Sequence, residues 1–174
     1  MTTASGLVSL EEYLDTSYRP DCDYIDDHVE ERTLGELPHS RLQVIISAYI
    51  HVHSKQWRVW ALTEQRVRIG PRRVRIPDIC IVPINRSLPR VLTDPPLACF
   101  EILSDCDTLR STAPRMQDYH ALGVQNLYIL NPITLEAWVW TPEATTPLTA
   151  SLEIPGTLIH IPLPELFAEL NDTD

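Results

Sequence analysis

Two short apolar segments of the chain each carry one acidic residue at their centre. The first reads RIPDICIV around Asp78, and the second reads ACFEILS around Glu101. Apolar runs of this length predict buried strands. An ionised carboxylate buried without a partner costs several kcal/mol or more. Both acids therefore need a neutralising partner, and this need limits what the chain can fold into.

The two segments predict their own register. If they pair as antiparallel neighbours with Asp78 opposite Glu101, then Cys80 falls opposite Cys99 on the same face. Two carboxylates about one strand spacing apart repel each other, and a shared proton, an arginine or a metal ion relieves that repulsion. The thiols are expected to be buried and inert, with binding of a soft metal or oxidation as the alternative.

Two kinds of partner fit the acids. In a purely structural arrangement, Arg73 or Arg75 neutralises each carboxylate. In a functional arrangement, the hard oxygen ligands of Asp78 and Glu101 hold Mg²⁺ or Mn²⁺, which commonly use one or two carboxylates together with water and phosphate oxygens. A metal held in this way polarises a phosphoryl oxygen and activates water, so phosphodiester hydrolysis is the chemistry that fits best.

The remaining pattern predicts an α+β fold, a mixed sheet flanked by helices, in one domain over residues 1–174. The strands expected are a hairpin around Asp26 and Asp27, a three-stranded antiparallel meander (59–69, 74–82 and 97–104), and a strand pair (124–130 and 135–140). The helices expected are a short one capped by Ser9, a long one at about 39–56, one capped by Ser111 or Thr112 and ended by Gly123, and a closing one at 163–170.

Composition restricts the setting. The 174 residues suit one domain, and the first dozen residues lack the basic start and apolar run of a secretory signal. No apolar stretch is long enough to span a bilayer, and the four cysteines lack C-x-x-C spacing. We therefore expect a soluble cytoplasmic protein in a reducing compartment.

An arginine-rich ribbon is the basic feature of a chain whose formal net charge is -10. This net charge repels a polyanionic substrate, so binding of nucleic acid requires a local basic patch. The segment RVRIGPRRVR (66–75) is a candidate nucleic-acid-binding ribbon, with a solvated hairpin as the alternative. Its arginines are Arg66, Arg68, Arg72, Arg73 and Arg75.

Several motifs together resemble a known family. The segments RIPDICIV, FEILS and RMQDYHALGVQNLYILNP, with the upstream YRPDCDYIDDHVEE and G-E-L-P-H, resemble the Uma-two endonuclease family of the PD-(D/E)XK (restriction-endonuclease-like) superfamily. The resemblance extends from about Leu10 to Phe167. It implies a restriction-endonuclease-like mixed sheet flanked by helices, a domain core of about 10–167, and divalent-metal cleavage of DNA.

The resemblance also implies roles for individual residues. Asp78 takes the place of the P-D aspartate, Glu101 takes the (D/E) position, and the backbone carbonyl of Ile102 is a further metal ligand. Asp23 stands where relatives often have an additional acid of the site, although a surface hairpin acid is an equal alternative. His39 matches the histidine of a G-x-x-x-H segment, where capping or packing is the alternative.

The chain departs from the superfamily pattern at the lysine. Leu103 occupies the standard lysine position, and Arg115 on the following helix matches the place to which relatives have moved it. Arg115 lies on the same helix face as Tyr119, one turn away. An arginine orients water and stabilises phosphate charge but cannot act as a base. Its alternative role is a surface charge paired with Asp118 or Asp107.

Three functions follow from these observations. The first is a Mg²⁺-dependent endodeoxyribonuclease. The second is a nucleic-acid-binding or protein-interaction module that keeps the fold after its active site has decayed, as Leu103 and Arg115 suggest. The third is a structural role, suggested by the acidic net charge. Trp138 and Trp140 share a strand face, which offers a homodimer or DNA surface as the alternative to core packing.

Overall fold

The computed structural model describes residues 7–33, 35–84 and 89–171. Within these ranges the helices are α1 (Leu10–Asp15), α2 (Leu37–Trp57), α3 (Leu109–Leu122) and α4 (Leu163–Asn171). The strands are β1 (Cys22–Ile25), β2 (His28–Glu31), β3 (Val59–Thr63), β4 (Val67–Gly70), β5 (Arg73–Arg75), β6 (Ile79–Pro83), β7 (Ala98–Ile102), β8 (Asn126–Asn131), β9 (Glu136–Trp140), β10 (Thr145–Leu148), β11 (Ser151–Glu153) and β12 (His160–Pro162).

A mixed sheet of six strands forms the centre of the described structure. Its order is β10-β9-β8-β7-β6-β3, and only the β7–β8 pair is parallel among these neighbours. A second sheet has the order β2-β1-β5-β4, and β11 pairs with β12 in a two-stranded ribbon. The predicted α+β class with helices flanking a mixed sheet is confirmed.

The two faces of the central sheet bury different clusters. On one face, Leu42, Ile46 and Ile50 of α2 pack with Ile79, Phe100 and residues of α4. These three residues recur at helical spacing and form one apolar stripe along α2. On the other face, Met116 and Tyr119 of α3 pack with Cys80 and Cys99. Trp140 and the half-buried Trp138 join that second cluster, so both contact the core.

The register between β6 and β7 agrees with the prediction. Cys80 lies opposite Cys99, and the ladder ends at the Ile79 and Phe100 pair. Asp78 immediately precedes β6 and lies beyond the end of the ladder. Its contact with β7 is made by its carboxylate, which accepts from the Ile102 N–H. The two thiols are free and buried.

The predicted meander is partly wrong. Strands β3, β6 and β7 do lie side by side and antiparallel. However, each of the first two predicted strands is two strands in the structure. Of these, β4 and β5 form a hairpin in the four-stranded sheet. The chain turns at Glu64, which has a φ of 50°. Pro77 separates β5 from β6, because proline cannot donate a ladder hydrogen bond.

The start of α3 is also corrected. Its N-cap is Thr108, whose hydroxyl accepts from the Ser111 N–H while the Ser111 hydroxyl accepts from the Thr108 N–H. This reciprocal pair satisfies both donors one turn earlier than predicted. Pro114 therefore lies inside the helix. Gly123 ends the helix with a φ of 110°, as predicted.

The hairpin, the long helix and the closing helix are confirmed, whereas β10, β11 and β12 were not predicted from the sequence. These strands are short, at three or four residues each. None of the helices in the described ranges combines the length and apolar character needed to cross a membrane.

Candidate active site

Asp78 lies at the entrance to β6 and is 3% exposed. Its Oδ1 accepts from Arg32 at 2.6 Å, and its Oδ2 accepts from the Ile102 N–H at 2.7 Å and contacts His39 Nε2 at 3.2 Å. Gln43 of α2 fixes its backbone carbonyl. Burial raises the pKa of Asp78, but the His39 hydrogen bond and the Arg32 charge outweigh it, so the pKa lies below its usual value.

Glu101 lies near the end of β7, and its side chain is fully buried. Its Oε1 accepts from the Tyr119 hydroxyl at 2.7 Å, and its Oε2 accepts from Arg115 at 2.5 Å. Burial raises the pKa of Glu101; Arg115 opposes that rise and the charge of Asp78 reinforces it. Burial also raises the pKa of Tyr119, which therefore serves as a neutral donor. Tyr119 belongs to the core and also orients Glu101.

Each acid has its own arginine around one recess, which we call the Asp78 recess. Arg32, His39, Asp78, Ile102, Asp107 and Arg115 are among the residues that line it. Arg115 also lies 3.6 Å from Asp107, so the predicted alternative pairing with Asp107 exists together with its Glu101 contact. Arg32 and Arg115 continue into an adjoining cavity of about 400 Å³. The recess and the cavity therefore share two guanidinium groups.

Asp23 joins a separate group of ion pairs rather than the recess. Its Oδ2 accepts from Arg75 at 2.8 Å, and its Oδ1 accepts from the Ile76 N–H at 3.1 Å. Arg75 and Arg73 both donate to Asp118 on α3, and Arg73 also reaches Asp26. We call this the Asp118 network. Asp23 still lines the 400 Å³ cavity, next to Arg75.

The arginine ribbon is largely engaged within the protein. Arg66 donates to the Leu14 and Thr16 carbonyls at the end of α1 and lies over the Tyr13 ring. Arg75 is 7% exposed, and both Arg73 and Arg75 belong to the Asp118 network.

Arg68 and Arg72 complete the ribbon. Arg68 donates to the Gly70 carbonyl. Arg72 pairs with Asp27 on the surface, where its side chain is 59% exposed. The side chain of Arg72 is thus more open to solvent than those of Arg73 and Arg75, and Arg75 is built into the fold.

Sequence reasoning missed Arg32. It follows β2 directly, at the end of the segment V-E-E-R, and no periodicity connects it with an acid 46 positions later. Asp118 was considered only as a partner of Arg115, whereas it binds Arg73 and Arg75. Charge alternation could have suggested these pairs but could not have assigned partners.

The glycine of the G-E-L-P-H segment, Gly35, packs directly against the ring of His39. A Cβ placed on Gly35 would lie 2.6 Å from Nδ1 of His39. Only glycine leaves space for the imidazole ring in this position. His39 is accordingly more than a cap, because its Nε2 contacts Asp78.

The donor set suits a hard divalent cation. Among the described residues, no group of three His, Cys, Asp or Glu side chains could hold a metal ion. Mg²⁺, however, is commonly bound by one or two carboxylates with water and phosphate completing the shell. The side chain of Arg32 beside Asp78 demonstrates that this carboxylate stabilises a positive charge. Asp78 lines the recess and therefore suits a cation as part of an open shell, in competition with Arg32, whereas both oxygens of the buried Glu101 accept from Tyr119 and Arg115.

Comparisons with known proteins agree with the architecture. A putative nuclease belonging to DUF820 from Anabaena variabilis has a crystal structure that matches with a TM-score of 0.80 and 21% identity, covering 94% of this chain and 99% of that one. At this identity the match establishes the fold alone, a mixed α+β domain like that of the putative nuclease. A search of curated proteins finds no match.

The family itself follows from the sequence. The Uma2 family model, described as a putative restriction endonuclease, matches residues 10–171, and the chain belongs to this family. The resemblance inferred from the motifs is thereby confirmed. Membership supports a nuclease-like role.

Proposed function

We propose that this protein is a metal-dependent endonuclease that hydrolyses phosphodiester bonds in DNA. The observation that carries the proposal is the position of Asp78 at a recess shared with Arg115, the arginine that binds the buried Glu101. The pKa values of the two acids shift in opposite directions: burial raises the pKa of Glu101 and the charge of Asp78 adds to that rise, whereas His39 and Arg32 hold the pKa of Asp78 below its usual value. Perturbed groups that meet at a cleft are typical of functional sites.

Asp78, Glu101 and the backbone carbonyl of Ile102 would hold Mg²⁺ or Mn²⁺. The bound cation supplies Lewis-acid polarisation of the phosphate and a water of lowered pKa. His39 and the Ile102 N–H orient the Asp78 carboxylate, and Tyr119 orients Glu101. These hydrogen bonds fix the ligand oxygens before substrate arrives, which is the requirement for efficient positioning.

Arg115 would stabilise the negative charge that grows on the phosphate in the transition state. Its pKa is raised, chiefly by Glu101, so it stays protonated. A guanidinium presents several donors to phosphate oxygens but cannot remove a proton. Arg115 would therefore bind the phosphate and would not be the base that removes a proton from water. Asp23 contributes indirectly in this proposal, because it holds Arg75 beside the cavity.

The DNA backbone would run past the arginine ribbon toward the recess. Arg72 contributes directly, because its exposed guanidinium can exchange Asp27 for a phosphate, and Arg68 lies on the same hairpin. Arg66, Arg73 and Arg75 contribute by shaping the hairpin, since their guanidinium groups bind other parts of the protein.

A plasmid assay tests the proposal. Supercoiled plasmid is incubated with Mg²⁺ or Mn²⁺ and the wild type, Asp78→Asn or Glu101→Gln, with circular dichroism as the check on folding. We expect nicked or linear DNA from the wild type and a loss of cleavage in both folded variants. Cleavage that survives both substitutions would overturn the site, and a wild type that never cleaves would overturn the activity.

A catalytically silent DNA-binding or interaction module is the second candidate. It is favoured by Arg115 in the place of a lysine and by Leu103, which is 5% exposed and packs in the core. This candidate predicts no cleavage but salt-sensitive DNA binding. Arg72→Ala would then weaken binding and reduce the slope of log affinity against log salt by about 0.9 for each lost phosphate contact. A homodimer, with a partner at the Trp138 face, would be detected by sedimentation velocity.

A further inference from the structure

Arg32 occupies a position that neither the sequence pattern nor the family match assigned. Its Nη2 lies 2.6 Å from Oδ1 of Asp78, and its side chain is 13% exposed. It lines both the Asp78 recess and the adjoining cavity. Arg115 has the corresponding relation to Glu101 and lines the same two spaces. The two acids are thus held by two arginines that face one common space.

The hydrogen bonding of Arg32 is incomplete. Its Nε is buried and has no hydrogen-bond partner within the described part of the chain. A buried donor without an acceptor is unfavourable, and natural proteins usually supply one. The guanidinium of arginine matches the two oxygens of a phosphate better than a single carboxylate oxygen. A phosphate bound by the guanidinium once it leaves Asp78 would therefore give this donor an acceptor.

The charges of the recess favour joint binding. The carboxylates of Asp78, Glu101 and Asp107 all lie within ion-pair distance of Arg32 or Arg115, so the recess has one negative charge in excess of its two arginines. A divalent cation bound to the acids must compete with Arg32 for Asp78, and it leaves the recess with an excess of positive charge. A phosphodiester then neutralises the excess and accepts hydrogen bonds from the displaced arginine. The phosphodiester therefore offsets the positive charge that opposes binding of the cation. The cation in turn releases Arg32 from Asp78, so that Arg32 can bind the phosphodiester.

We propose that Arg32 is a phosphate-binding residue of this site and the resident counter-ion of Asp78, so that a divalent cation and a phosphodiester bind cooperatively. The proposal rests on the proposed function and extends it to the order and coupling of ligand binding. By reciprocity, the cation tightens nucleic-acid binding by the same factor by which nucleic acid tightens cation binding.

The test measures binding and not cleavage. Free Mn²⁺ is followed by electron paramagnetic resonance during titration of the wild type, Arg32→Met and Asp78→Asn, with and without a 12-nucleotide single-stranded DNA. Arg90→Met is the matched control, because Arg90 pairs with Asp15 and the end of α1, outside the residues that line the recess. The control removes one positive charge without removing the competitor of the cation.

The wild type is expected to bind Mn²⁺ about 5- to 150-fold more tightly with DNA than without it, the usual range of coupling between two sites. In Arg32→Met, Mn²⁺ binding without DNA becomes tighter than in the wild type, and the tightening by DNA falls to about twofold or less. Arg90→Met retains the wild-type coupling. Asp78→Asn loses Mn²⁺ binding.

Three results would overturn the inference. Equal Mn²⁺ affinity and equal coupling in the wild type and Arg32→Met, with loss of binding in Asp78→Asn, would refute the role of Arg32 and leave the metal site intact. Absence of Mn²⁺ binding in the wild type and Arg32→Met would refute the metal site as well. If Arg32→Met does not fold, Arg32→Lys decides: it retains a competing charge, so wild-type Mn²⁺ affinity without DNA but weakened coupling is expected, and full coupling would refute the proposal.

Discussion

The Asp78 recess and the Asp118 network are both built from ion pairs between arginine and aspartate. They differ in whether their buried hydrogen-bond donors have partners. Both contain buried aspartates held by arginines. In the Asp118 network, Arg75 donates from Nε to Asp118 and from Nη1 to Asp23, and the second oxygen of Asp23 accepts from a backbone N–H. In the recess, the Nε of Arg32 and the Nδ1 of His39 are buried without hydrogen-bond partners among the described residues.

This difference separates a structural role from a functional one. A network whose donors and acceptors satisfy one another stabilises a single arrangement and has little to offer a ligand. A site that keeps buried donors unsatisfied is less stable than it could be, and in our proposal a bound phosphate supplies the acceptor that Arg32 lacks. The Asp118 network connects β1 and β5 to α3, whereas the recess is where chemistry is proposed.

The largest effect is expected when the complete network is broken. Arg75→Met leaves the buried Asp23 without its arginine and removes one of the two arginines of Asp118. Removal of one partner from a buried ion pair costs about 3–5 kcal/mol of unfolding free energy. Urea denaturation measures this loss. Arg72→Met is the control, because its exposed pair with Asp27 contributes only about 0–1 kcal/mol. Similar small losses in both variants would contradict the structural role of the network.

The incomplete site is expected to respond through activity. Asp78→Asn keeps the size of the side chain but removes the charge that holds Arg32 and the proposed cation. The initial rate of plasmid cleavage should fall by about 10²- to 10³-fold, the usual effect of removing one electrostatic group from an active site. Asp15→Asn, in a surface pair with Arg90, should cleave at the wild-type rate. If Asp78→Asn cleaved plasmid as fast as this control, the functional role of the Asp78 recess would be wrong.

A smaller effect is expected at the glycine beside the recess. The Cβ of Gly35→Ala would meet the His39 ring at 2.6 Å, so the ring must move away from Asp78. We expect the free energy of unfolding to fall by about 1–3 kcal/mol, as at other overpacked positions. A double-mutant cycle with His39→Ala tests the cause. The loss should largely disappear in the His39→Ala background, and its persistence there would show that another neighbour is responsible.

The smallest effect concerns the hairpin next to the Asp118 network. The Tyr24 hydroxyl donates to Asp27 at 2.8 Å, and this hydrogen bond, with the help of Arg72, holds the pKa of Asp27 below its ordinary value of 3.8. A lowered folded-state pKa stabilises the fold above the ordinary value, and that stabilisation is lost as the pH falls through the folded-state pKa. Tyr24→Phe should raise the pKa of Asp27 in an NMR titration. An unchanged pKa would assign the shift to Arg72.

Local sequence patterns were sufficient for much of the fold. The apolar spacing of Leu42, Ile46 and Ile50 predicted the buried face of α2, because helix periodicity is a local property. The pairing of Cys80 with Cys99 followed from matching two acid-bearing strands. The start of α3 was misplaced because Ser111 and Thr108 are both good caps, and only their reciprocal hydrogen bonds decide between them.

The candidate site was predictable only in part. The positions of Asp78, Glu101 and Arg115 were inferred from motifs, and their roles stay predictions. The partners were beyond reach, because they come from segments distant in sequence: Arg32 meets Asp78 across 46 residues, and Arg75 meets Asp118 across 43. A chain with many arginines and more acids allows many pairings of similar energy, so charge patterns alone do not select one.

The sequence by itself determined that two acids must be buried on neighbouring strands, since the apolar residues around Asp78 and Glu101 have to leave water. Only the tertiary structure decided how those acids are neutralised. The chain folds β2 and α3 against the ends of β6 and β7, which brings Arg32 to Asp78 and Arg115 to Glu101 while Arg75 goes to Asp23 and Asp118. The reason is physical: burial depends on local composition, whereas the partner of a buried charge depends on which distant segments the packing brings within a few ångströms.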